Sequence, residues 1–390
     1  MKTKNLKPVL PVFISAITLL IVVLIATGGY KSSYLSLIYS RYYKAKLNNQ
    51  KRLNFEETVR NFSFGFTRSR VDNDTIVIVI GESSRAQNYS LYGYKRKTNP
   101  LLEMHDNLYK FTAYTPFILT AQSVPYALNR IPYKNYSEKL YTEKSIITAM
   151  KEAGYTTYFL NNNSHDISLI HYYINESDNF INTGKPMGPD DKVVPLFKKI
   201  LKDKSRKKLI IIHLYGSHFI YNERYPSGFS VYKPDSYNRI TYANRKEIVN
   251  SYDNTVLYTD YVINNLITEL KKTGTASSLI FFSDHGENLF DTDEKLKFHV
   301  NFNKYTYRIP FIIWFSEDFI SRRKTGLTLK DNSRKLTDTK CLFHTLMDIA
   351  GMDSKFFDTS KSLLNPNFKA QDSVHYYDSN NEPVATSYEE

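Results

Sequence analysis

The sequence predicts an α/β fold, with a largely parallel central sheet flanked by helices on both faces. Four apolar runs carry that expectation: residues 75–80 (TIVIVI), 155–160 (YTTYFL), 209–212 (LIII) and 279–282 (LIFF). The first, third and fourth leave no polar alternation, as expected of strands buried on both sides. Helical stretches at 143–153, 195–202 and 250–272 lie between or beside them, the pattern of crossover connections in a parallel sheet. A further strand is expected at 308–315 and a further helix at 342–350. Each of the four runs also ends in polar residues. Gly81-Glu82 follows the first, and Asn161, Asn162, Asn163, Ser164, His165 and Asp166 follow the second. His213, then Gly216, Ser217 and His218, follow the third; Ser283-Asp284-His285-Gly286-Glu287 follows the fourth. In open α/β sheets ligands sit beyond the carboxyl ends of the strands. One sheet edge would therefore gather oxygen and nitrogen donors.

Taken from the amino terminus, residues 1–7 are expected to form a short cytoplasmic tip carrying Lys2, Lys4 and Lys7. Residues 8–28 contain no charge, which is long enough to cross a bilayer as one helix and too long for the apolar core of a cleaved signal. A single transmembrane signal-anchor is expected there. Residues 29–73 hold a juxtamembrane segment and a connector. Leu35, Ile38, Tyr42 and Leu47 share one helical face beside Arg41, Lys44 and Lys46. That suits an amphipathic helix on the outer membrane boundary, or equally a solvated linker. The globular domain is expected over 74–364, and the polar stretch 365–390 as a loose tail.

The 390 residues carry a formal charge of +13 without one dense basic block. No zinc-finger spacing or RNA-binding signature accompanies that charge, so an anionic lipid surface fits better than nucleic acid. Cys341 is the only cysteine, which excludes an internal disulfide and a cysteine-based metal site.

Glu82, Asp284 and His285 are the ligands the residue types favour. Magnesium prefers oxygen alone, whereas the adjacent imidazole favours zinc. The competing role for Glu82 is a capping carboxylate in the turn at 81–85. Residues 119–125 (LTAQSVP) place Thr120 and Ser123 where a helix could open. A threonine there often serves as a plain N-cap. As a nucleophile it needs a base or metal to activate it.

Residues 81–100, GESSRAQNYSLYGYKRKTNP, resemble the opening motif of the lipopolysaccharide phosphoethanolamine transferases, membrane enzymes of the alkaline-phosphatase/sulfatase superfamily. The resemblance continues in order through TAQSVP (120–125), GSH (216–218), YDNT (252–255), SDHGE (283–287) and FHTL (343–346). It implies an alkaline-phosphatase-like sandwich and one or two zinc ions. Glu82, Thr120, Asp284 and His285 would hold zinc, with Thr120 the nucleophile that becomes phosphoethanolaminylated. His218 would act at the substrate phosphate as acid or base, and His299 and Asn163 would also contact substrate; His218 and His299 would lie near that phosphate or a second zinc. The other role for His218 is a buried structural histidine, and His213 is expected to be structural. The implied partners are a phosphatidylethanolamine donor, a lipopolysaccharide or related glycan acceptor and the bacterial inner membrane, with the catalytic domain in the periplasm.

Three departures accompany the match. One membrane span stands where relatives have several. Tyr126 occupies a place where they carry a disulfide cysteine, and His165-Asp166-Ile167-Ser168 replaces a pattern with a lysine. A sulfatase would need a C/S-x-P-x-R stretch, which LTAQSVP is not. A related phosphodiesterase or glycerol-phosphate transferase acting on a surface glycan would share the same metal centre. A non-catalytic glycan-binding domain would lack a ligand or the nucleophile, and none is missing.

Overall fold

Residues 74–81, DTIVIVIG, are mostly β-branched, fit a pleated surface, and form a strand buried along its whole length. This is β1 (Asp74–Gly81) of a computed structural model that describes residues 50, 54–66, 74–163, 169–184, 188–291, 297–299, 301–323, 326–377 and 383–389. The main sheet adds β2 (Leu108–Lys110), β3 (Thr156–Asn161), β4 (Asn179–Asn182), β5 (Lys207–His213), β6 (Ala276–Ser283) and β7 (Phe311–Phe315), in the order β2-β7-β6-β1-β5-β3-β4. β4, β3, β5, β1 and β6 are parallel; β7 runs antiparallel to β6 and to β2. The largely parallel sheet expected from the sequence is present, with an antiparallel margin.

Register makes this sheet a platform. Ile80 pairs with His213, Gly81 with Ser283 and Asn161 with His213, so four strands finish level. The ladder runs one step further, with Leu214 N donating to Ile80 O (2.9 Å), Asp284 N to Gly81 O (3.1 Å) and Asn162 N to His213 O (2.8 Å). Those bonds fix where Glu82, Asn163 and Asp284 leave the sheet.

Both faces are covered. Val77, Val79, Ile210, Ile212, Leu279 and Phe281 share a core cluster with Phe197 and Ile200 and with Val256, Val262, Ile263 and Leu266. Ile76, Ile78, Ile80, Leu209, Ile211, Ile280 and Phe282, on the alternate face, are equally buried. Among the helices are α1 (Thr120–Leu128), α2 (Ile146–Glu152), α3 (Val193–Leu201), α4 (Arg245–Lys271) and α5 (Cys341–Ile349), with others, such as Leu169–Glu176, between. The Ser145 side chain accepts from Ile147 N at the start of α2. Gly154 follows it at φ +86°, a left-handed stop that glycine adopts without penalty. α4 starts earlier than the expected 250, with Arg245, Lys246 and Glu247 forming its polar first turn ahead of the buried Ile248.

Two expectations are corrected. The strand expected at 308–315 is broken at Pro310, which has no N–H to give a ladder. Arg308–Ile309 instead pairs with Ala113–Tyr114 in a separate small sheet. The tail expected to be loose contains a hairpin, Val374–Tyr377 with Pro383–Thr386. Tyr377 stacks on Phe117 with ring centroids 5.6 Å apart, and Val374 is fully buried. Two units, Met1–Arg60 and Asn61–Glu390, divide the chain. Within the second, Phe64 N and Phe66 N each donate to the Glu152 carboxylate at 3.1 Å, and Phe64 packs on Phe343. The described part of the first unit holds one short helix, Phe55–Thr58.

The expected membrane span at 8–28, and the tip and amphipathic segment through residue 49, lie outside the described residues. Among those described, no helix is long and apolar enough to cross a membrane. Tyr126, standing where the resemblance implies a cysteine, anchors α1 differently. Its ring meets Phe117 and Tyr136 edge-on at 5.3 and 5.2 Å, and its hydroxyl donates to Asp338 Oδ2 at 2.7 Å.

Candidate metal centre

Glu82 is the first residue beyond β1, and its backbone is clasped from two sides. Ser217 N donates to Glu82 O at 2.9 Å, and Gly216 packs so closely that a Cβ there would lie 2.8 Å from Glu82 N. Gly216 also sits at φ +52°, so this position needs glycine on two counts. Asp190 secures that turn by accepting from Tyr215 N and Gly216 N, both at 2.8 Å. Ser83 adopts φ +55° immediately after Glu82 and donates its hydroxyl to Glu82 Oε1 at 2.9 Å. The carboxylate is therefore not a helix cap.

Asp284 leaves β6 opposite. Its Oδ1 accepts from Ser83 N (3.0 Å) and His285 N (2.8 Å), while its Oδ2 is buried without a hydrogen-bond partner among the described residues. An unpaired buried carboxylate oxygen is costly unless a cation meets it. His285 Nδ1 donates to Gly286 O at 2.9 Å, so Nε2 is the nitrogen aimed inward. It lies 3.3 Å from Glu82 Oε1 and 3.4 Å from Asp284 Oδ2. The donor atoms of Glu82, Asp284 and His285 all fall within 4.8 Å of one another, and all three residues are buried. Gly286 is required here as well, since a Cβ would lie 2.2 Å from Tyr305 O.

Thr120 completes the cluster from α1. The N-cap of that helix is Leu119, and the Thr120 hydroxyl makes no capping bond. It donates instead to Glu82 Oε2 at 3.1 Å and Oε1 at 3.3 Å. Ser123, the other candidate hydroxyl, is committed to Leu119 O within the helix.

Charge in the centre is poised for a cation. Burial pushes Glu82 up, but the hydrogen bond and charge of His285, with His218 and His213 behind it, hold it well below the usual carboxylate range. Burial and the neighbouring Glu82 charge push Asp284 up to about 7. Burial disfavours a charged His285, yet Asp284, Glu82 and Glu287 overcome it and raise the imidazole to about 10. A proton thus sits where a metal would, and a divalent ion must displace it on binding. Two carboxylates, an imidazole and a hydroxyl, with one orphaned oxygen facing inward, fit zinc.

The remaining candidates are arranged around this cluster. Asn163 directs its amide at Glu82 Oε2 (3.1 Å) and Leu214 O (3.0 Å), so that face of the side chain orients the carboxylate. His213 Nε2 lies 3.1 Å from the same amide, and burial lowers this histidine to about 4, consistent with the structural role expected for it. His218 is half-buried rather than buried; it donates Nδ1–H to Phe219 O at 2.7 Å and lies against Tyr215. It stays outside the compact donor group. His299 stands 4.4 Å from the His285 ring, with Nδ1 3.7 Å from Glu287 Oε2. Ser164, His165 and Asp166 lie outside the described residues.

Sequence reasoning missed two groups. Glu287 is fully buried with neither carboxylate oxygen hydrogen-bonded among the described residues, and its donor atom joins those of His285 and His299 within 4.8 Å. Its place in the SDHGE run was the available signal. Arg85 is buried against Asp291 and Glu287 O, while Arg85 N donates to Tyr252 OH and that hydroxyl donates to Ser83 O. Polar residues at 252–255 on the buried side of α4 were the corresponding hint.

The sulfatase family profile matches residues 74–352. The chain belongs to the sulfatase family. This sulfatase-family chain is 33% identical over 326 residues to phosphoethanolamine transferase EptC of Escherichia coli O18:K1:H7 (76% of this chain, 54% of that protein). It is 32% identical over 313 residues to phosphoethanolamine transferase CptA of Salmonella typhimurium, with the same coverage. The chain spans about half the length of these curated relatives. Its fold is similar to the zinc complex of the C-terminal periplasmic domain of EcEptC from Escherichia coli. That match has a TM-score of 0.73 and 29% identity, over 82% of this chain and 94% of that domain.

Proposed function

We propose that this chain transfers phosphoethanolamine from phosphatidylethanolamine to a lipopolysaccharide component, whether lipid A, core sugar or O-antigen sugar. The observation that carries the reading is the Thr120 hydroxyl, held 3.1 Å from Glu82 inside a buried group of metal donors. The phosphoethanolamine transferase activity of EptC and CptA and the zinc in the EcEptC domain support it.

Zinc held by Glu82, Thr120, Asp284 and His285 would supply Lewis-acid chemistry, lowering the pKa of a bound hydroxyl and offsetting charge on phosphoryl oxygens. Glu287 and His299 stand beside this cluster as donors for a second ion, while His285, with Nε2 at the first and Nδ1–H given to Gly286 O, serves one ion only. In the first step Thr120 Oγ1 forms a bond to phosphorus while the bond from phosphorus to the glycerol oxygen breaks. Diacylglycerol leaves with a proton, and Thr120 carries the phosphoethanolamine group. In the second step an acceptor oxygen forms the new bond, the Thr120 Oγ1–phosphorus bond breaks, and the acceptor's proton is given up. Glu82 aims the hydroxyl, with Asn163 holding its carboxylate in place. His218, with Nδ1–H committed to Phe219 O, leaves Nε2 to pass the proton between departing and arriving oxygens. His299 orients the phosphate. Residues 8–28 would tether the domain to the inner membrane on its periplasmic side.

Mass spectrometry of glycolipid from cells with and without the chain tests the proposal. A phosphoethanolamine increment that depends on the chain is expected. Glycolipid of unchanged mass from zinc-replete cells making the intact protein would overturn it.

A further inference from the structure

Leu119, Phe219 and Ile220 are 48%, 43% and 41% exposed. Leu119 directly precedes Thr120, and Phe219 and Ile220 directly follow His218. The Phe219 ring stacks on His218 at 4.4 Å and lies 5.2 Å from Phe298, the neighbour of His299. Scattered exposed apolar residues are ordinary on any surface. Here they flank the nucleophile and both outer histidines of one strongly polar centre, which calls for an apolar ligand.

Two features of the chain say what kind. Its formal charge is +13, which favours an anionic bilayer, and residues 8–28 form an uncharged run able to hold it there. A phosphodiester donor embedded in that bilayer is polar at phosphorus and apolar beyond the glycerol oxygen. We infer that Leu119, Phe219, Ile220 and Phe298 form a rim that receives the glycerol and upper acyl chains of the lipid donor, with its phosphate at Thr120. This rests on the phosphotransfer reading above.

The test uses the full chain in vesicles of phosphatidylethanolamine and phosphatidylglycerol, with or without bromine on the acyl chains. Trp314 is the only tryptophan and is buried, so a Phe219→Trp variant adds a reporter at the rim. Bromination should quench most of the added emission and spare the parent signal. In a Phe219→Ser/Ile220→Ser variant, the ratio of transfer from vesicle donor to transfer from a soluble short-chain donor should fall at least about tenfold, given the burial lost. Emission indifferent to bromine, or an unchanged ratio, overturns the rim. Quenching in a chain that transfers nothing would strike the phosphotransfer reading and still support lipid contact.

Discussion

Replacing Thr120 with alanine abolishes transfer and leaves a folded protein. The loss should reach about four to six orders of magnitude in turnover, the scale seen when a catalytic nucleophile is removed. Folding has little reason to suffer. Leu119 is the N-cap of α1, so no capping bond is lost, and Glu82 keeps its bonds to Ser83, Asn163 and His285. Labelled donor, circular dichroism and zinc content measured on one preparation check this together. Turnover within about tenfold of the parent would remove Thr120 from the chemistry.

Asp284→Ala is expected to cost both metal and stability. Its Oδ1 satisfies Ser83 N and His285 N, two buried donors that would each be left unpaired at about 1–3 kcal/mol. Its Oδ2 is the orphaned oxygen that faces His285 Nε2. Loss of zinc affinity should exceed the about 10–100-fold typical of an outer-shell partner. Asp284→Asn separates the two effects, because an amide oxygen can keep the backbone bonds while its NH2 group opposes the cation. Both variants should lose zinc in a chelator competition, and only the alanine should lose the full stability increment in urea. Parental zinc affinity in either would contradict the assignment.

The sheet was legible because β1, β5 and β6 each contain an unbroken apolar run, for which a doubly buried strand is the simplest reading. The same sequence hid the break at Pro310, where one run serves two sheets. It also hid the hairpin at 374–386, because the few apolar and aromatic residues from Val374 to Tyr377 are diluted by polar neighbours on either side. At the site, Glu82, Asp284 and His285 stood out as charges at the ends of buried strands. What could not be read was direction. Asn163 turning its amide to Glu82, Ser83 entering the left-handed region and Glu287 left without a hydrogen bond among the described residues depend on loop paths that no local pattern encodes.

Anomalous diffraction at the zinc edge, on crystals of the intact chain, tests the central claim most directly. A peak bonded to Glu82, Thr120, Asp284 and His285 at about 2.0–2.2 Å is the predicted result. A zinc bound elsewhere, or one that leaves Thr120 outside its ligands, would contradict it.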